Sequence, residues 1–151
     1  MSTTRSYTTR RQGIVNALTE RLKTINGTGN FFTDLSNNVV GRLLFWDEVD
    51  QFPAVHINAG SETREYQGGG YKDRFLTITL RCYVNTDNAA EALDELLEDV
   101  ETVIEENSAL SYTDKSGTAQ QTQQITIVSI DTDEGVLEPL GVGEMLIEVR
   151  Y

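Results

Sequence analysis

The sequence predicts an α+β domain: an antiparallel or mixed sheet of four to five strands with a long protruding hairpin, and two helices packed on one face. Three observations carry this expectation. Residues 9–26 and 88–107 repeat apolar side chains at helical three-to-four spacing, whereas 54–60 and 74–84 alternate at strand period. The segments follow in the order helix, strands, hairpin, helix, strands. The chain has 151 residues, one domain's worth, enough to bury about two-thirds of its unfolded surface.

The first helix opens on Thr9-Arg10-Arg11-Gln12, a capping box in which hydroxyl and amide would satisfy orphan N–H groups reciprocally. Ile14, Val15, Leu18, Leu22 and Ile25 then fall on one helical face, and Gly27 supplies a natural stop. Residues 26–38 read as a loop, pinned to the body by Phe31, Phe32 and Leu35. Val39 to Trp46 is β-rich and largely apolar, and 47–53 is a turn with Pro53 at the entrance of the next strand.

In the strand at 54–60, Val55, Ile57 and Ala59 face one way and His56 and Asn58 the other. From Arg74 to Val84, Leu76, Ile78, Leu80, Cys82 and Val84 share a face, opposite Thr77, Thr79, Arg81 and Tyr83. Between these strands, 61–73 carries Gly68-Gly69-Gly70 between Tyr66 and Tyr71, which predicts a protruding hairpin with a flexible tip. The second helix buries Ala89, Leu93, Leu96, Leu97, Val100 and Ile104, with Asn88 and Glu91 as its cap pair. Residues 111–124 form a polar loop or mobile arm. Ile125 to Ile130 is a strand with Ile125, Ile127 and Ser129 on one side and Val128 and Ile130 on the other. Residues 131–143 are acidic and turn-rich, and 145–151 is a further strand. The whole of 1–151 reads as a single domain, with 1–8 a flexible N-terminus.

Twelve Lys and Arg against twenty-four Asp and Glu leave a net charge of −12. That excess repels phosphate and argues against tight binding to nucleic acid or an anionic membrane. The charge is uneven: residues 87–114 hold ten acidic and no basic groups, whereas 1–30 has a net +4. The second helix has no i,i+4 ion pairs, and Glu105 and Glu106 oppose its dipole. It therefore relies on tertiary packing or on a basic neighbour. With 38% hydrophobic residues the chain is no disordered tail. One cysteine permits no internal disulfide, and there is neither a signal peptide nor a membrane-spanning run, so the expectation is a soluble protein folded in a reducing cytoplasm.

No constellation for catalysis emerges. His56 is alone, and its parity puts it on a solvent- or interface-facing side. Cys82 lies on the buried face, an inert thiol. Gly68-Gly69-Gly70 lacks the Lys-Ser/Thr of a phosphate loop, and Gly141-Val142-Gly143 is too short for a dinucleotide fingerprint. Asp47/Glu48 and Asp131/Asp133/Glu134 lack cation-loop spacing. The expectation is no enzyme, no cofactor and no metal. What remains is an interaction protein whose candidate interface residues are Arg10, Arg11, Arg64, Tyr66, Tyr71, Lys72 and Arg74. The basic N-terminal end and the acidic helix either pair within one molecule or meet between neighbours in a heterologous ring contact. A solvated acidic face is the third reading.

The order of segments resembles the tail terminator (tail completion) proteins of long-tailed bacteriophages. The resemblance rests on the amphipathic first helix, the strand entry Phe52-Pro53-Ala54-Val55, and the strand Arg74-x-Leu76-x-Ile78 through Tyr83-Val84. That strand runs into Ala89-Ala90-Glu91-Ala92-Leu93-Asp94-x-Leu96, and a strand at Tyr151 completes the pattern. The family implies a structural virion protein: a ring, usually of six subunits, that caps the tail tube, ends its polymerisation and presents a surface to the head connector. DNA passes through the lumen as cargo. It further implies self-association, contacts with the tail tube and head-completion proteins, no membrane, and a place at the head-proximal end of the tail after assembly in the host cytoplasm. An acidic lumen would let the duplex slide, and Glu95, Glu98, Asp99, Glu101, Asp131, Asp133 and Glu134 are its candidate lining. The alternatives are a head-closure or connector protein, and an acidic monomeric module that mimics nucleic acid.

Overall fold

A computed structural model describes residues 9–35, 38–42, 48–49 and 51–151. The expectation of a flexible 1–8 lies outside the described residues. Helix α1 spans Arg10–Leu22, and Thr9 caps it by accepting a hydrogen bond from the Gln12 amide at 3.2 Å. The capping box is half formed, because the Gln12 side chain donates instead to Asn16. α1 also ends earlier than predicted. Lys23 and Ile25 continue in turn geometry, and Gly27 (φ 76°) serves the following loop rather than the helix end.

Strand β1 is only Val39–Val40, and the predicted continuation through 43–46 lies outside the described residues. β2 (Ala54–Tyr66) and β3 (Lys72–Asn85) form one long antiparallel hairpin in register from Ala54–Tyr83 to Tyr66–Lys72, with a bulge near Gly60. Gly68–Gly70 makes the tip as a 3-10 turn. Helix α2 follows (Ala89–Glu106), then β6 (Gln124–Thr132) and β7 (Leu140–Arg150). Among the described residues the main sheet has five strands in the order β1-β2-β3-β7-β6, mixed because β1 runs parallel to β2.

The stretch 111–124, read from sequence as a loop, folds into a small two-stranded sheet of β4 (Ser111–Thr113) and β5 (Ala119–Gln121). Local hydrogen bonds explain this. Asp114 accepts from the amides of Ser116 (2.9 Å) and Thr118 (3.0 Å) and from the side chains of Ser116 and Gln120, and these bonds hold its carboxyl well below the usual range. Thr122 clasps the base, accepting from the Leu110 amide and donating to the Ser108 carbonyl. Tyr112 packs edge-on to Tyr151, and a Cβ on Gly13 of α1 would lie 2.9 Å from the Thr113 carbonyl.

One core joins both helices to one face of the sheet: Ile14, Leu18 and Leu22 of α1 and Leu93, Leu96 and Val100 of α2 meet Val55, Ile57, Leu76, Ile78, Leu80, Met145 and Ile147. The Gly141–Gly143 stretch lets α2 approach. A Cβ on Gly141 would sit 2.6 Å from Val84 and 3.3 Å from Ala89, and one on Gly143 would meet Leu93 at 3.2 Å. In β6 a bulge at Val128 resets the alternation. Ser129 pairs with Leu146 and Ile130 with Met145, so Ser129 does not share the face of Ile125 and Ile127 as predicted. Of the three residues expected to pin the 26–38 loop, Leu35 is buried and Phe31 half-buried, whereas Phe32 is 60% exposed.

Candidate functional site

The candidate interface residues divide into two groups along the hairpin. At its base, side chains are engaged with the body. Arg11 donates to the Gly60 carbonyl, and Arg64 donates to Glu62 at 2.7 Å. Arg74 lies over the Tyr151 ring at 5.5 Å, and Arg150 reaches Asp73 at 2.9 Å. Arg10 is half-buried at the start of α1. Glu62 is the hub, because the Tyr151 hydroxyl also donates to it. Burial pushes the Glu62 carboxyl up, but hydrogen bonds from Tyr151 and Arg64 outweigh it and leave the group below its ordinary range. Burial and the Glu62 partner push the Tyr151 hydroxyl up to about 12.

At the hairpin tip the side chains are free of the body. Tyr66 and Tyr71 are 72% and 74% exposed, and Lys72 lies over the Tyr66 ring at 5.9 Å. The Gln67 amide donates to the Tyr71 carbonyl at 2.7 Å, which closes the turn. Strand parity places Tyr66 and its partner Lys72 on one face of the hairpin and the Glu65–Asp73 pair on the other.

The acidic candidates also separate. Glu91, Asp94, Glu98 and Glu105 are exposed on α2, and the half-buried Glu95 and Glu101 flank them. They form a stripe roughly 20 Å long at the helical rise of about 1.5 Å per residue. None makes an ion pair with a cation among the described residues. Asp99 does not belong to this stripe. It is 1% exposed and accepts from the Phe32 amide (3.1 Å), the Thr33 amide (2.8 Å) and the Thr33 hydroxyl (2.6 Å), tying the loop to α2. Asp131 pairs across the sheet with Glu144, itself 3.4 Å from Arg81, on the face turned away from α2. Asp133 organises its turn, accepting from the Gly135 and Leu137 amides, and Glu134 is exposed beside it with φ 55°.

On that second face lies a cavity of about 750 Å³, which the sequence did not announce. Tyr83, Leu137, Leu140 and Val142 give it apolar walls, and its charged groups are Asp131, Asp133 and the Arg81–Glu144 pair, a net acidic lining. Its signal in sequence was the exposed Val136-Leu137 pair inside an otherwise polar turn, 81% and 50% accessible. His56 departs from expectation. It has the predicted parity but is 2% exposed and packs against the Tyr83 ring, centroids 5.1 Å apart and planes tilted by 56°, because this face is itself packed there. Burial, then the charges of Arg81 and Arg42, hold its imidazole below the ordinary value. Cys82 is fully buried, and burial pushes its thiol up to about 12. Among the described residues no cluster of His, Cys, Asp or Glu has the arrangement of a metal site, and no helix is long and apolar enough to cross a membrane.

Comparison with known proteins adds two findings. Residues 8–151 match the family model described as Bacteriophage Tail Tube Terminator Protein. The chain is 30% identical over 149 residues to the tail tube terminator protein p142 of Escherichia phage T5, covering 93% of this chain and 92% of that protein.

Proposed function

The chain belongs to the bacteriophage tail tube terminator family, and we propose that it forms a ring of six subunits that ends tail tube polymerisation and then offers its other face to the head. The observation that supports this reading most strongly is a family match running across the chain from residue 8 to residue 151. The work is structural, without catalysis, at the head-proximal end of the tail in the virion, after assembly in the host cytoplasm. Its partners are further copies of itself, the tail tube protein and a head-completion protein.

The exposed acidic stripe of α2 lines the lumen in this reading. Glu91, Asp94, Glu95, Glu98 and Glu101 have no cation of their own to satisfy them. Their field reaches roughly 8 Å at physiological salt, which is enough to keep a passing duplex off the wall. Asp99 takes no part, since it is committed to the 32–33 backbone. Asp131, on the opposite face of the sheet, is left for another contact.

Electron microscopy of the purified chain, alone and mixed with tubes of the phage's tail tube protein, tests the reading. Rings and capped tube ends are the expected result; bare ends at every salt concentration and protein ratio contradict it. Binding to isolated head connectors with no affinity for tubes would instead favour a head-closure protein.

A further inference from the structure

Resting on the ring reading, we propose that the hairpin tip of one subunit seats in the second-face cavity of the next, and that this head-to-tail contact joins the ring. The tip presents two exposed tyrosines and Lys72. The other basic groups near it are engaged with the body: Arg64 with Glu62, Arg150 with Asp73, and Arg74 over the Tyr151 ring. Lys72 has no carboxylate partner among the described residues. The cavity offers the complement. Its volume of about 750 Å³ falls within the roughly 300–1,000 Å³ that receives ligand-sized groups, and a tyrosine ring is such a group. Tyr83, Leu140 and Val142 supply apolar contact, and Asp131 is a carboxylate with no cation among the described residues.

A subunit cannot fill its own cavity. The tip joins β3 at Lys72 and the cavity adjoins β3 at Tyr83, so the two lie roughly 35 Å apart at about 3.3 Å per residue. Two different complementary patches on one chain make a heterologous contact, which generates a ring when the rotation closes. Each tyrosine buries about 150–250 Å², well below the roughly 800 Å² per partner of a standing interface. One contact is therefore weak, and the repeated contacts of a closed ring on a tube end hold together.

The test places cysteines beside the contact without removing it. Gly68→Cys sits at the tip with nothing within 4 Å of the new Cβ, and Val136→Cys sits in the exposed turn by the cavity. Cys82 is buried and stays silent toward a short bis-maleimide linker. Expected are a ladder of covalent multimers from the double variant, and dimers, on mixing the two single variants, only between unlike chains. Lys72→Glu and Asp131→Lys should each lower cross-linking about tenfold, and chains carrying both should recover it. Rings or capped tubes that yield only monomers, or dimers linked 68 to 68, overturn the contact while the ring reading stands. No rings and no capped tubes in the unsubstituted protein overturn both.

Discussion

Asp99 shows what a single carboxylate can hold in place. It fastens Phe32 and Thr33 to α2 through three hydrogen bonds, and Asp99→Ala leaves two part-buried amides and the Thr33 hydroxyl without that acceptor. The expected loss is about 2–3 kcal/mol, read as a drop in thermal midpoint or urea midpoint, with Asp99→Asn losing less. His56 adds a pH dependence. Its imidazole is held below the ordinary value, so the unfolded chain takes up the proton first as the pH falls. Stability from this group is complete above pH ~6.5 and declines below it, toward the lower folded value. His56→Gln should flatten that part of the profile in urea titrations run across the range. Both residues were half legible in sequence. Asp99 was visible as an acid on a helix, and His56 as lying opposite Val55 and Ile57, but the loop folding back onto one and the ring of Tyr83 packing on the other are tertiary facts. Neither periodicity nor composition carries them.

The elements themselves were more readable, because period and burial agree. α2 appears within a residue of its predicted limits, and β3 alternates as expected from Leu76 to Val84. The 111–124 sheet was missed because its strands bury one apolar ring, Tyr112, and depend on side-chain to backbone bonds. Asp114-x-Ser116-Gly117 was the available signal: an Asx turn followed by a glycine at φ 80°. The contact of α2 with β7 makes a sharper prediction. Gly141→Ala drives a methyl into Val84 and Ala89, and the strain should cost about 1–3 kcal/mol by denaturant unfolding. Gly68→Ala, at the open hairpin tip, serves as the control and should leave stability nearly unchanged.

At the scale of the whole molecule, the net charge of −12 resolves into separate surfaces. One stripe runs along α2, and another acidic group lies across the sheet beside the cavity. If the α2 stripe lines a channel, Glu95→Lys/Glu98→Lys/Glu101→Lys should fold and cap tubes but retain DNA, seen as a salt-sensitive mobility shift that the unsubstituted protein does not give. A ring reconstruction with a neutral or basic lumen would contradict the assignment. The central claim is that this chain stops tube growth, and the length distribution of tubes assembled with and without it tests that most directly. Added protein should leave short tubes with a ring at one end and no further elongation. Tubes that grow equally long in its presence would contradict the claim.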